Sequence, residues 1–137
     1  MKVKENILVL CTGNACRSQM AEGWIRALRG DSCNVRSAGI EAHGLNPIAV
    51  SMMAEVGVDI SHHESTVIDE SMIEWATLVI TVCGHADQAC PTLGPSVKRV
   101  HWPTPDPAAI TGTEDEVSAG FRQVRDSLRA RVNELFI

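Results

Sequence analysis

Two residue types that act on anions stand six positions apart near the amino terminus. Cys11 follows an apolar run, and Arg17 comes after the stretch Thr-Gly-Asn-Ala-Cys, where a helix is predicted to start. The amino end of a helix already carries a partial positive charge, so an arginine there is mildly unfavourable unless an anion lies between the two. The pattern predicts a loop that holds a small oxyanion beside a nucleophilic thiol.

The stretch from Cys11 to Arg17 is typical of a nest, in which backbone N–H groups converge on a tetrahedral anion at a helix start. Gly13 and Asn14 are residue types that tolerate a left-handed backbone. Arg17 has a fork that grips two oxygens at once. The same field favours the thiolate form of Cys11, to which Ser18 is expected to donate a hydrogen bond. The predicted oxyanion-binding residues are Thr12, Gly13, Asn14, Ala15, Cys16, Arg17 and Ser18.

Strand and helix patterns alternate along the chain around this loop. Strands are predicted at 6–11, 34–37, 77–83 and 97–102, and helices at 18–29, 46–56, 69–75 and 113–135. Helix starts are indicated by Asn46-Pro47, by Asp69 and by the capping-box form of Thr113 to Glu116. The alternation predicts an α/β domain over 1–137, with a parallel sheet covered by helices on both faces. Cys11 and Cys83 both end predicted strands, at the edge where such sheets bind ligands.

Composition excludes several classes of partner. The chain has 137 residues, 45% of them hydrophobic, and a net charge of −5 with no Lys/Arg run longer than two, so neither nucleic acid nor an anionic membrane is an expected partner. No stretch is typical of a signal peptide or a membrane span, so we expect a cytoplasmic protein. The odd count of five cysteines is more typical of catalytic, redox-active or buried thiols than of structural disulfides.

Cys83 and Cys90 stand seven positions apart in "CGHADQACP". In a helix their Cα atoms would be about 10 Å apart, whereas a disulfide needs roughly 4.4–6.8 Å. A disulfide between them therefore requires the segment to unwind, which favours a redox-active disulfide over a structural one. Two alternatives stay open. Cys83 could be a core residue and Cys90 an exposed one. The two cysteines could also bind zinc with His85 and with His62 or His63, although their spacing differs from common zinc pairs.

The stretch "CTGNACRSQMAEG" resembles the active-site loop of the low-molecular-weight protein tyrosine phosphatase superfamily, and within it that of the thioredoxin-coupled arsenate reductases. Further matching stretches are "RSAGIEAHGLNP", "LVITVCGHADQACP", "HWPTPDPA" and "FRQVRDSLRARV". The resemblance spans essentially the whole chain and implies a single domain with a four-stranded parallel sheet flanked by helices. It also implies an enzyme for which we expect no cofactor.

The resemblance implies a relay of three thiols that reduces arsenate. Cys11 attacks arsenate within the loop, and Cys83 then attacks Cys11, so that arsenite leaves and a Cys11–Cys83 disulfide forms. Cys90 next attacks Cys83, which gives Cys83–Cys90. Thioredoxin is the implied reductant of this last bridge, although a glutaredoxin or a low-molecular-weight thiol would serve the same chemistry.

Asp106-Pro107 follows a predicted strand, and in the resembling phosphatases a matching Asp-Pro supplies the general acid. By resemblance Asp106 would protonate the hydroxide that leaves arsenate; the alternative is a turn aspartate without chemistry. Tyrosine phosphatases of this kind typically carry an aromatic residue next, but here Ala108 follows, and the chain has no tyrosine. The phosphotyrosine ring would lack an obvious wall.

Some relatives bind potassium beneath the loop with residues that match Asn14, Glu22 and Ser37, plus an acid farther along. Thr66 stands where that acid would be. The sequence therefore predicts no metal ion, and these three residues are expected to brace the loop by hydrogen bonds.

Two rival functions remain beside arsenate reduction. A phosphomonoesterase would use Cys11, Arg17 and Asp106 alone, and weak activity of this kind is compatible with the reductase because arsenate mimics phosphate. An oxyanion or metal sensor would use the Cys83–Cys90 pair to report redox state. The five histidines are each expected to be surface or structural residues.

Overall fold

Four parallel strands form the centre of the computed structural model, which describes residues 4–135. They are β1 (Glu5–Cys11), β2 (Cys33–Gly39), β3 (Leu78–Thr81) and β4 (Lys98–His101), in the order β2-β1-β3-β4. Residues 1–3 and 136–137 of the predicted domain lie outside the described residues. The predicted four-stranded parallel sheet with helices on both faces is confirmed.

Five helices cover this sheet: α1 (Arg17–Arg29), α2 (Pro47–Glu55), α3 (Glu70–Trp75), α4 (Gly84–Ala89) and α5 (Glu114–Asn133). The helices α1, α2 and α5 pack on one another, whereas α3 and α4 contact the sheet at β1. The chain steps from β1 outward to β2 and then back across β1 to β3. Because such crossovers are right-handed, α1 lies on one face and α3 and α4 on the other.

Apolar burial of β1 anchors the site. Residues 7–10 of this strand are fully buried, which explains why these four positions are all apolar instead of alternating with polar ones. The helix α5 contributes Phe121 and Leu128, also fully buried, and each such side chain stabilises the fold by about 1.5–3 kcal/mol. Trp24 Nε1 donates to the carbonyl oxygen of Arg125 at 2.9 Å, which joins α1 to α5. The middle of α1 is thereby held against α5.

Local signals predicted most helix starts correctly, and β3 was predicted too long. Asn46 caps α2 with Pro47 at its first position, Asp69 caps α3, and Thr113 forms the capping box of α5. The strand β3 ends at Thr81 and not at Cys83. The backbone of Val82 still bonds to β1, but Cys83 has turned to become the capping residue of α4, where its sulfur accepts the N–H of Ala86 at 3.3 Å.

Smaller boundary differences follow from packing. The strand β2 extends two residues past its predicted end because it pairs with the full length of β1. The helix α5 ends at Asn133, so Leu135 lies beyond it. None of the helices in the described range 4–135 combines the length and the apolar character that a membrane crossing needs.

Candidate active site

The loop of residues 12–16 joins β1 to α1, and its carbonyl groups are bonded away from its centre. Backbone N–H groups of the following segment, 40–46, donate to the carbonyl oxygens of Cys11, Thr12, Gly13 and Ala15, at 2.9–3.2 Å. Cys16, the residue before α1, does not cap this helix with its side chain, and the first turn of α1 holds no acidic residue. The N–H groups of this first turn are therefore available to an anion.

Cys11 lies at the floor of the loop and is surrounded by donors. Its Sγ is 2.8 Å from Ser18 Oγ, the contact expected from the sequence, and it accepts the backbone N–H of Asn14 at 3.2 Å. Only 2% of the residue is exposed. The sulfur of Cys11 is therefore held in place by two hydrogen-bonding groups of the loop and of the first turn of α1.

Gly13 makes a close contact that the sequence did not predict. Asn14 has the predicted left-handed backbone, with φ of 50°, but Gly13 does not. A Cβ atom on Gly13 would collide with the imidazole ring of His43, which packs directly on the loop. A larger residue at Gly13 would force the exposed His43 ring to move off the loop. Of the two residue types that tolerate a left-handed backbone, Asn14 adopts it and Gly13 does not.

A chain of buried hydrogen bonds supports Asn14 from below. Its Nδ2 donates to Ser18 Oγ at 2.7 Å and to Ser37 Oγ at 3.0 Å, and Ser37 in turn donates to Glu22 at 2.6 Å. Arg26 binds the other oxygen of Glu22 at 2.7 Å. Asn14, Ser37 and Glu22 thus brace the loop, and a guanidinium group balances the buried carboxylate.

Gln19 completes this support and was missed by the sequence analysis. It is fully buried, and its Nε2 donates to the backbone and side-chain oxygens of Asn14, at 3.1 Å each. Its Oε1 lies 3.0 Å from Nδ1 of His63. Burial lowers the pKa of His63, although nearby Glu22 opposes this effect. The only signal in the sequence was a polar residue next to apolar positions in "RSQMAEG".

Arg17 connects the loop to the segment that carries Asp106. Its Nη1 donates to the carbonyl oxygen of Thr104 at 3.1 Å. Asp106 is exposed and accepts the N–H of Ala108 at 3.0 Å, at the start of a short 3₁₀ turn (Pro107–Ala109). Burial, together with the charges of Asp106 and Cys11, raises the pKa of Cys16 to about 12. Cys16 therefore stays protonated at neutral pH.

Cys83 stands at the rim of the same loop. Thr12 Oγ1 lies 3.2 Å from Cys83 Sγ and 3.4 Å from Nδ1 of His85. Cys83 is buried, whereas Cys90 at the other end of α4 is half-buried, and burial raises the pKa of Cys90. The segment between the two cysteines is helical, so they are about 10 Å apart along its axis.

The zinc alternative is not supported. Within residues 4–135, no three His, Cys, Asp or Glu side chains are arranged to hold a metal ion, so Cys83, His85, Cys90 and the 62–63 histidines do not form a ligand cluster.

Comparison with known proteins agrees with this geometry. Residues 6–137 match the family described as low molecular weight phosphotyrosine protein phosphatase. An arsenate reductase from Bacillus subtilis (strain 168) is 55% identical over 128 residues, covering 93% of this chain and 92% of the relative. A solved arsenate reductase in the phosphate binding state has a TM-score of 0.77 and 32% identity, with 94% of each chain covered.

A low molecular weight protein tyrosine phosphatase from T. tengcongensis has a TM-score of 0.81 at 22% identity, covering 95% of this chain and 96% of its own, which shows the shared fold. The chain belongs to the low-molecular-weight phosphotyrosine protein phosphatase family and, within that family, is similar to the arsenate reductases.

Proposed function

We propose that this protein reduces arsenate to arsenite through three of its own thiols. The observation that carries the proposal is the position of Cys83, whose sulfur lies 3.2 Å from the hydroxyl of the loop residue Thr12. A phosphatase needs one thiol at the anion, whereas a reductase needs a second thiol to take over the bond to the first. The similarity to arsenate reductases over more than nine-tenths of the chain supports the same function.

In the first step arsenate enters the loop and Cys11 attacks arsenic. Backbone N–H groups at the start of α1 and the Arg17 guanidinium hold the oxyanion. Asp106 donates a proton to the departing hydroxide, which leaves as water. The product is a Cys11–S–As(V) adduct, still bound by the loop.

In the second step Cys83 attacks the sulfur of Cys11. A Cys11–Cys83 disulfide forms while the S–As bond breaks, and its electron pair stays on arsenic. Two thiols have then lost two electrons, and As(V) has become As(III), which leaves as arsenite. Ser18 and the Asn14 N–H stabilise Cys11 as a thiolate before the first attack and again after its release.

In the third step Cys90 attacks Cys83, and Cys11 is released as a thiolate. Because α4 keeps Cys83 and Cys90 too far apart for a bond, this step requires α4 to unwind. The helix has six residues, four of them exposed, so its unwinding exposes little apolar surface. The resulting Cys83–Cys90 bridge lies on a looped-out segment, where a dithiol protein such as thioredoxin can reach it.

A single-turnover thiol count tests the proposal. Fully reduced protein is mixed with excess arsenate and no external reductant, and free thiols and arsenite are measured over time. We expect two thiols to be lost for each arsenite formed, with Cys83–Cys90 found by peptide mapping. No thiol loss would overturn the proposal.

Matched variants separate reduction from hydrolysis. Cys83→Ser should stop the reaction at the Cys11–arsenic adduct, so that no arsenite forms. Hydrolysis of p-nitrophenyl phosphate should be unchanged, because only reduction needs the second thiol. Cys33→Ser is the control, since Cys33 is buried and bonded to the carbonyl oxygen of Arg29, remote from the loop in sequence. It should leave both reactions unchanged.

Slow phosphomonoester hydrolysis is a second activity that we propose for the same loop. A related arsenate reductase has been solved in a phosphate binding state. In this proposal Cys11, Arg17 and Asp106 act as nucleophile, anion clamp and general acid. Ala108 follows the Asp-Pro pair and the chain has no tyrosine, so a phosphotyrosine ring would have no aromatic side chain beside it there. Small aryl phosphates are the expected substrates, and their hydrolysis should be lost in Cys11→Ser.

A further inference from the structure

The second step of the proposed relay requires a proton acceptor for Cys83. A thiol must lose its proton before its sulfur becomes an effective nucleophile. Cys83 is only 6% exposed, which limits direct transfer to water. Its two polar neighbours are the Ala86 N–H, which donates to Sγ at 3.3 Å, and Thr12 Oγ1, which lies at 3.2 Å. Neither of these groups is a base.

A base lies on the other side of the Thr12 hydroxyl. Nδ1 of His85 is 3.4 Å from Thr12 Oγ1, and His85 itself is exposed on the first turn of α4. The Thr12 hydroxyl thus stands between a buried thiol and an imidazole that opens to solvent. Such contacts are often long before substrate binds and tighten in the reacting complex.

We propose that His85 is a positioning residue for the second step, one that withdraws the proton of Cys83 through the hydroxyl of Thr12. The inference rests on the proposed reductase function. The thiol proton moves to the Thr12 oxygen as the Thr12 proton moves to Nδ1 of His85. The electron pair left on Cys83 forms the bond to Cys11, the S–As pair stays on arsenic, and the imidazolium later returns its proton to water.

The other charged groups and histidines of the surrounding elements already have partners, and Cys90, at the far end of α4, has a pKa that burial raises, so it does not compete for the proton. The pairs are Asp87 with Arg99, His101 with Thr81, Glu41 with His43, and Cys11 with Ser18. Within residues 4–135, Thr12 is the sole hydrogen-bond partner of His85. Its Nδ1 is therefore free to accept the proton.

The position of His85 also gives the relay a direction. His85 follows Cys83 by two residues within α4, and the third step unwinds this helix. Unwinding moves the imidazole away from Thr12, which remains in the loop. The acceptor is thus present when Cys83 attacks Cys11 and removed once Cys90 attacks Cys83.

The test measures the reactivity of Cys83 without arsenate. Reduced protein is pulsed with iodoacetamide from pH 5.5 to 10, and alkylation of Cys83 is followed by peptide mass spectrometry. His85→Asn keeps an acceptor near the Nδ1 position but cannot take up a proton. We expect Cys83 in this variant to react about tenfold more slowly near pH 7 and at the wild-type rate near pH 10, where a thiol ionises unaided.

Two further variants make the test specific. Thr12→Val should slow Cys83 alkylation to a similar extent, and the double variant should be no slower, because the two residues act in series. His62→Asn replaces another exposed histidine and should match the wild type. Identical pH profiles for the wild type and His85→Asn would overturn the inference.

The outcome is separable from that of the proposed function. If the wild type consumed no thiols with arsenate, the reductase function would fail, yet the alkylation profile would still decide whether His85 activates Cys83. Hydrolysis of p-nitrophenyl phosphate needs no Cys83, so it should be unchanged in His85→Asn. In a single turnover with arsenate, formation of Cys11–Cys83 should slow by about the same tenfold factor near pH 7.

Discussion

Side chains cap the start of α5 through reciprocal hydrogen bonds to backbone N–H groups, whereas no side chain caps the start of α1. At α5, Thr113 Oγ1 accepts the N–H of Glu116 at 3.1 Å, and the Glu116 side chain accepts the N–H of Thr113 at 3.3 Å. Three acidic residues fill its first turn. At α1, no side chain caps the helix, no acid lies in the first turn, and Arg17 adds a positive charge.

The start of α5 contributes to stability, whereas the start of α1 is arranged to bind an anion. Acidic residues and caps at a helix start each contribute roughly 0.5–1 kcal/mol, and α5 has both. The helix α1 forgoes these contributions and leaves N–H groups and a guanidinium to face an anion. The burial of β1 and the network around Asn14 offset the loss.

Removal of the charge at α1 should have the largest effect on activity. Arg17→Ala should lower kcat/KM for arsenate reduction and for p-nitrophenyl phosphate hydrolysis by about 10²–10³-fold. The free energy of unfolding should change by less than about 1 kcal/mol, because the lost bond to Thr104 is offset by relief of the unfavourable charge at the helix start. Arg131→Ala, in the last turn of α5, is the control and should retain activity; equal losses in both variants would contradict the comparison.

The support beneath α1 should couple stability to function. Asn14→Ala removes the side-chain amide, and with it the hydrogen bonds that Nδ2 donates to Ser18 and Ser37 in a buried network. It also places alanine at a φ of 50°. We expect unfolding by urea to show a loss of about 2–4 kcal/mol, with weaker anion binding. Asn14→Gly should recover about 1 kcal/mol of this, because glycine tolerates the left-handed backbone. Equal stability of the two variants would show that the backbone is not strained.

The capping box at the start of α5 should affect stability and not activity. Thr113→Ala should cost about 1 kcal/mol in the free energy of unfolding, as measured by urea denaturation. Arsenate reduction should be unchanged, because this cap contacts no residue of the loop. A loss of activity in the folded variant would show that the two helix starts are not independent.

The smallest effect is expected from charges that join α5 to α2. Arg122 and Arg125 bind Glu55, and these hydrogen bonds lower its pKa from 4.5 to about 2. A lowered pKa in the folded state adds stability above about pH 4.5, which is lost as the pH falls toward 2. Glu55→Gln should therefore make the free energy of unfolding depend less on pH between 4.5 and 2. An unchanged slope would contradict this assignment.

Helix starts were predictable because their determinants are local. A cap such as Asp69 or Thr113 bonds to an N–H three positions along, so the residue types and their spacing are sufficient. The order of strands and helices was predictable for a similar reason, since apolar runs and stripes have different periods. The boundary of β3 was not, because Val82 and Cys83 have strand-like residue types but meet a helix that begins at Gly84.

The details of the site depended on residues distant in the chain. Gly13 meets His43, Arg17 meets Thr104, and Thr12 meets Cys83 across 71 positions. No periodicity or spacing links such pairs. Gln19 was missed because a single polar residue in a helix is usually solvated, and only the packed structure shows it fully buried.

The sequence by itself determined which reactive groups are present. One short loop carries a thiol, an arginine and an uncapped helix start, and two more thiols follow at a spacing too wide for a disulfide within a helix. The tertiary structure decided which of these groups meet. Hydrogen bonds of caps and turns join neighbours in the chain, so residue types encode them directly. The contacts among Thr12, Cys83 and His85 exist because burial of β1 and β3 side by side brings two strand ends to the same edge of the sheet.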